Sequence, residues 1–176
     1  MKKINFEGLP STNTPISPDN LNQMQSNIEE SIMRNIVTVG LSADQSFSTT
    51  ASWENVTILF NTISKVGGKL SLQDNKYVVI GKGVSKISIE CNVRLGEVLT
   101  GTSQLLIRKN ENIIGNRSSI KYSDANAQFH VHSLTRQIIS VTEGDLISLG
   151  FNFSTGALID KLIMANSTWM TIEVLE

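Results

Sequence analysis

Cysteine is nearly absent. The single Cys91 among 176 residues excludes an internal disulfide, so no covalent framework holds this fold. Proline is almost as scarce, and all three copies (Pro10, Pro15 and Pro18) fall within the first 18 residues. Charge is thin at 18%, below the roughly 25% of an average globular chain, and the balance is even, with a formal net charge of −1. That excludes the basic footprint of a nucleic-acid binder. Aromatic residues make up only 6% of the chain, too few for a dedicated stacking strip. No window approaches the roughly 20 apolar residues of a membrane span, and the start, Met1-Lys2-Lys3-Ile4-Asn5-Phe6-Glu7, lacks a secretory apolar run. The sequence therefore predicts a soluble chain made in a cytoplasm, with no membrane and no nucleic acid among its partners.

What is present favours pleated structure. Ile and Val number 32 against 6 Ala, which argues against a helical bundle, and Ser, Thr and Asn account for 51 of 176 residues. Two regions of different character follow. Residues 1–36 form an attachment arm and helix, and residues 37–176 a β domain. In the arm, the run from Gly8 to Ile16 has no period and is predicted to be extended, because residues before proline avoid the helical region. Ile4, Phe6, Leu9, Pro10, Pro15 and Ile16 are its candidate anchors on another surface. A short helix is predicted next, with Ser17 as N-cap, Pro18 at its first position and Asp19 near the positive end of the dipole. Leu21, Met24, Ile28 and Ile32 recur at spacings of three and four and form one apolar stripe. A helix this short needs a surface to pack on. Its own domain, copies of itself and another protein are all open readings.

From residue 37 the period becomes two. Ile87, Ile89, Cys91, Val93 and Leu95 alternate with polar residues, as do Ile147, Leu149, Phe151 and Phe153, and then Met170, Ile172 and Val174. Further strands are predicted at Val37–Leu41, Val56–Ile63, Tyr77–Ile80, Gln104–Lys109, Gln128–Leu134 and Gln137–Val141. Turn chemistry separates them at Gly67-Gly68, Asp74-Asn75, Gly81-Lys82-Gly83, Asn110-Glu111-Asn112 and Glu143-Gly144-Asp145. About nine short strands at this spacing predict an antiparallel jelly-roll sandwich.

Enzyme signatures are scarce, and no enzyme is predicted. The chain has no phosphate-cradling glycine loop, no nucleophile elbow and no carboxylate pair that stands out as acid and nucleophile. Cys91 falls on an apolar strand face and reads as a small buried hydrophobe. His130 and His132 lie two apart on a predicted strand and so share a face, with Phe129 and Val131 expected on the opposite, buried side. The two imidazoles are weak metal candidates only, since one chain supplies no third His or Cys. They read otherwise as solvated or interface histidines. Asp74, Asp124, Glu143, Asp145 and Asp160 are expected in loops and do not match the calcium-loop spacing. No cofactor is implied.

Two resemblances sharpen this reading. Ile4-Asn5-Phe6 through Leu9-Pro10-Ser11-Thr12-Asn13-Thr14-Pro15-Ile16, followed by Asn20-Leu21-Asn22-Gln23-Met24-Gln25, resembles the leader of many bacteriophage virion proteins, where such a segment leads into an oligomerising helix. The remainder resembles complement-type and tumour-necrosis-factor-like jelly-roll heads. Trp53-Glu54-Asn55-Val56, Tyr77 to Val84 with Ile87-Ser88-Ile89, Ile107-Arg108-Lys109-Asn110, and Val141 to Ile147 carry this second likeness. Ser85-Lys86-Ile87 departs from it, standing where those heads place glycine-x-tyrosine. The resemblance implies a homotrimer joined through the Leu21, Met24, Ile28 and Ile32 stripe. It implies mounting on the capsid or tail proteins of a virion and a head turned to the bacterial surface, with cell-wall glycan as ligand. A capsid decoration or collar protein without a host ligand is the alternative.

Overall fold

A computed structural model describes residues 22–25, 35–48, 54–96, 101–122, 129–154 and 160–176. The chain divides into two compact units, Met1–Arg34 and Asn35–Glu176. In the first, Asn22–Gln25 is helical and Met24 is half-buried.

The regular structure described in the second unit is all β-strand. Its strands are β1 (Ile36–Gly40), β2 (Gln45–Ser48), β3 (Glu54–Thr57), β4 (Thr62–Val66), β5 (Leu70–Gln73) and β6 (Tyr77–Ile80). Then follow β7 (Lys86–Gly96), β8 (Gly101–Lys109), β9 (Asn112–Tyr122), β10 (Phe129–Ser140), β11 (Leu146–Ser154) and β12 (Asp160–Val174). They form two six-stranded sheets. The first runs β10-β7-β12-β1-β4, with β2 also on β12; the second runs β5-β6-β11-β8-β9, with β3 also on β11. Every pairing is antiparallel. This is a jelly-roll sandwich, as the period-two pattern predicts.

The core lies between the sheets. Val37, Val39, Ile87, Ile89, Cys91, Val93, Leu95, Met170 and Ile172 face it from the first sheet, and Val78, Ile80, Leu105, Ile107, Ile147, Leu149, Phe151 and Phe153 from the second. Removing this apolar surface from water is the dominant favourable term in a fold without covalent links.

Three expectations are corrected. Val56–Ile63 is not one strand. Glu54–Thr57 pairs with β11 in the second sheet and Thr62–Val66 with β1 in the first. The crossing residues Ile58 and Phe60 are fully buried, and their amides bond Leu149 O and Asn75 O instead of continuing one ladder. Conversely, the two strands expected at 128–134 and 137–141 are one, β10. A bulge between Leu134 and Gln137, where three steps on β10 match two on β7, accommodates the break in period. Twelve strands replace about nine because β2 and β9 carry little apolar alternation and β5, Leu70-Ser71-Leu72-Gln73, alternates over four residues only.

The β8–β9 connection is a two-residue hairpin turn, Asn110-Glu111, with φ of 51° and 66°. Positive φ at both positions is the geometry that matches strand twist, and asparagine tolerates it well. Glu111 is held there by its hydrogen bond from the Tyr77 hydroxyl and by Lys76 Nζ at 3.6 Å. On the neighbouring turn Asp145 is buried. Its carboxylate accepts from the Thr142 amide at 2.9 Å and from Asn110 Nδ2 at 2.7 Å, with Lys109 Nζ at 3.5 Å. These bonds lock one end of the sandwich.

Candidate functional site

Two places stand out. The first is the outer face of the first sheet. Register puts Trp169 of β12 opposite Gly40 of β1 and Asn92 of β7, so its partner on the β1 side has no side chain. Val66 on β4 pairs with Ile36, Val131 on β10 with Arg94, and Ile138 with Ser88, all on the same outer side. Trp169, Val131, Val66 and Ile138 are 37%, 49%, 52% and 58% exposed. The ground between them is hydrogen-bonded and carries charged residues: Glu173 lies in the row from Val66 to Ile138, and Arg94 is opposite Val131. Thr38 and Thr171 hydroxyls meet at 2.9 Å, Ser133 Oγ donates to Asn92 Oδ1 at 2.6 Å, and Asn92 Nδ2 donates to Ser167 O at 2.6 Å. A strong bulge between Met164 and Trp169 on β12 supports this arrangement. The face therefore presents separate exposed apolar side chains with Glu90, Arg94 and Glu173 among them.

The second place contains the histidine pair, and here expectation is reversed. His132 is fully buried (0% exposed) and Val131 is the exposed neighbour. The cause is register: His132 lies opposite Val93 and Leu134 opposite Cys91, both core residues of β7, so the even-numbered side of β10 faces inward. The imidazole finds partners that make burial tolerable. Ser103 Oγ of β8 is 2.6 Å from Nε2, Ser118 Oγ of β9 is 3.1 Å from Nδ1, and the Phe151 ring meets it edge-on at 5.2 Å between centroids. Burial pushes the His132 pKa down to about 4, with the nearby His130 adding to the shift, so the ring is neutral at pH 7. His130 is half-buried, and burial lowers its pKa as well.

A serine hydroxyl at hydrogen-bond distance from an imidazole is also the first requirement of a nucleophilic dyad. Both Ser103 and His132 are wholly enclosed, however, so this pair links sheets rather than meeting a substrate. Both imidazole nitrogens of His132 face hydroxyls, and among the described residues no group of three or more His, Cys, Asp or Glu is placed to hold a metal ion. Cys91 is buried as expected, and burial raises its thiol to about 12.

Of the residues singled out from sequence, Ile4, Phe6, Leu9, Pro10, Pro15, Ile16, Leu21, Ile28 and Ile32 lie outside the described residues, as do Trp53 and Asp124. Asp74 and Glu143 are exposed on turns, whereas Asp145 is the buried lock described above. Sequence reasoning missed Ser103, Ser118 and Arg108. Ser103 was legible in principle, because it shares the period-two face of Leu105 and Ile107. Arg108 is buried on the opposite side of β8, with Nη1 3.3 Å from Thr57 Oγ1.

Solved structures place this architecture. Murine APRIL at pH 5.0 superposes with a TM-score of 0.60, covering 81% of this chain and 99% of that one at 12% identity. Eiger TNF from S. frugiperda gives 0.59, covering 82% and 93% at 8% identity. The fold is a TNF-like jelly roll. At these identities the likeness is one of fold, and function has to be argued from sites. No family model and no curated protein matches the chain. Among the described residues of this TNF-like head, no helix is long and apolar enough to cross a membrane.

Proposed function

We propose that the chain is a non-enzymatic, self-associating jelly-roll head, three copies of which form a small fibre or tip on a bacteriophage particle. Residues 1–36 mount it on capsid or tail proteins, and the head is turned to the bacterial surface, with cell-wall glycan as the ligand class. Weak contacts become effective through repetition, threefold within the fibre and again over the particle.

The observation that carries self-association is the outer face of the first sheet, which exposes four large apolar side chains, Trp169, Val131, Val66 and Ile138, among polar and charged ones. Association in threes follows the resemblance to TNF-like heads, and the TNF-like fold supports it. The virion role rests on the resemblance of the leader from Ile4 to Gln25.

Sedimentation of the full chain tests the assembly. A trimer is expected, and Trp169→Glu should shift it to monomer; a wild-type monomer at high concentration would refute the reading. Labelling host cells with the purified protein separates a receptor-contacting head from a decoration or collar protein, which would leave cells unlabelled. Particles assembled with a chain lacking residues 1–35 should not carry the head.

A further inference from the structure

Charge is spread unevenly along this chain. Residues 101–140, which carry β8, β9 and β10, hold five cations (Arg108, Lys109, Arg117, Lys121 and Arg136) against two carboxylates, Glu111 and Asp124, for a net charge of +3. The other residues then sum to −4, since the whole chain stands at −1. Glu111 is engaged by Tyr77 and Lys76, Arg108 by Thr57, and Lys109 by Ser140 and Asp145. Arg117, Lys121 and Arg136 differ. All three are exposed, and none forms an ion pair or a side-chain hydrogen bond among the described residues.

Two bulges bring these cations to one corner of the sandwich. On β9, Gly115, Asn116 and Arg117 stand between Ile114, opposite Ile107 of β8, and Ser118, opposite Leu105. On β10, Thr135 and Arg136 stand between Leu134 and Gln137. Bulges re-aim side chains. The Asn116 amide donates to Gln137 Oε1 at 3.2 Å, so each arginine is next in sequence to one partner of the same bond. Glu90 of β7 lies opposite the β10 bulge yet forms no ion pair with Arg136. Beyond the β9 bulge the pairing is regular. Ser118 reaches His132 and Ile120 packs on the core, so Ser119 and Lys121 face outward, opposite Gln104 and Thr102 of β8. From Arg117 to Lys121 the strand runs about 13 Å.

We propose that this corner docks a linear acidic glycan, whose carboxylates meet Arg117, Arg136 and Lys121 and whose hydroxyls meet Ser119 and Gln104. The proposal rests on the reading of the head as the part turned to the bacterial surface. Cations spread over this length of strand suit anions repeated along a chain better than a single ion. A guanidinium donates two parallel N–H bonds to one carboxylate, which gives each arginine geometric preference as well as charge. The hydroxyl and amide groups beside Lys121 supply the donors and acceptors that sugar hydroxyls need. Exposed ion pairs are individually weak, so affinity comes from several pairs per glycan chain and from repetition of the head. A nucleic acid is the poorer match, because the rest of the molecule is net negative and no basic footprint extends beyond the corner.

Equilibrium binding of the full chain to an oligogalacturonate, with a dextran of equal length as the neutral control, tests it. Binding to the acidic probe alone is expected, and it should weaken as salt is raised, because exposed pairs are screened. Arg117→Gln combined with Arg136→Gln should lower the affinity at least about tenfold, whereas Lys65→Gln combined with Lys82→Gln should leave it within about twofold. The second pair removes the same charge from exposed positions elsewhere on the head. All four side chains are exposed, so both double variants should keep the wild-type circular dichroism spectrum. Equal losses in the two double variants would overturn the corner, as would dextran binding as tightly as the acidic chain. A DNA oligonucleotide of equal charge that binds as tightly through the same two arginines would overturn the assignment to a glycan. Sedimentation of the same sample keeps the two readings apart. A trimer that ignores the acidic probe overturns the corner alone, and a monomer that binds it through Arg117 and Arg136 upholds the corner while refuting the assembly.

Discussion

Ser103 Oγ and His132 Nε2 are 2.6 Å apart, yet the two residues belong to different sheets. Their bond and its weaker counterpart from Ser118 cross the sandwich where no backbone ladder does. Removing the hydroxyl in Ser103→Ala leaves a fully buried nitrogen without that partner, which costs about 1–3 kcal/mol. Ser118 is only half-buried, so water can replace its hydroxyl and Ser118→Ala should lose less. Urea unfolding of both variants at neutral pH reads the order directly, and equal losses would contradict the asymmetry.

Acid should weaken the head in two steps. His132 has a folded pKa below its unfolded value, so the unfolded chain binds its proton first as pH falls. Stability is therefore full above the ordinary histidine pKa of about 6.5 and falls by at most about 3 kcal/mol as pH drops toward 4. Asp145 acts lower. Burial opposes its ionisation, but the Thr142 amide, Asn110 and Lys109 together hold its carboxyl below the usual range. Its contribution is present above the ordinary aspartate pKa and is lost as pH falls through the depressed one. Thermal unfolding followed across this range should show the upper step vanish in His132→Gln and the lower one in Asp145→Asn.

Cys91 should be inert in the folded protein. Its thiol lies on the core face of β7, and burial raises it to about 12, so almost no thiolate forms at neutral pH. A thiol reagent should modify it only at the rate of global unfolding. Rapid labelling of native protein would mean that the β7 core face opens on its own.

Gly150 should not tolerate a side chain. A methyl group there would sit 2.7 Å from Cζ of Arg108, whose guanidinium is packed on that stretch of β11 and buried. Gly150→Ala should cost about 1–3 kcal/mol through this overpacking, measured by chemical denaturation. Gly144, although at φ of 86°, has open space around its Cβ direction, so Gly144→Ala should suffer only from backbone strain.

The legible parts of this protein are those where one residue's neighbours in sequence decide its environment. Strict alternation over Ile87–Leu95, Ile147–Phe153 and Met170–Val174 announces strands with one buried face, and β7, β11 and β12 carry them. Asn110-Glu111 announces a turn, and the structure places a hairpin there. Alternation fails at Val56–Ile63, where an unbroken run passes between sheets, and it fails along β10. There the apolar residues Val131 and Leu134 sit on opposite faces, and a bulge reverses the parity between them and Ile139.

Sequence by itself determined that this chain builds a two-sheet antiparallel jelly roll without disulfides, because side-chain period and turn residues are local quantities. It also determined the fate of Cys91, which follows from that period. Tertiary structure alone decided that His132 is buried, that Ser103 and Ser118 receive it, and that Trp169, Val131, Val66 and Ile138 emerge on one face. Which strand lies opposite which, and in what register, is settled by contacts between residues tens of positions apart, and a one-residue change of parity turns a side chain from water into the core.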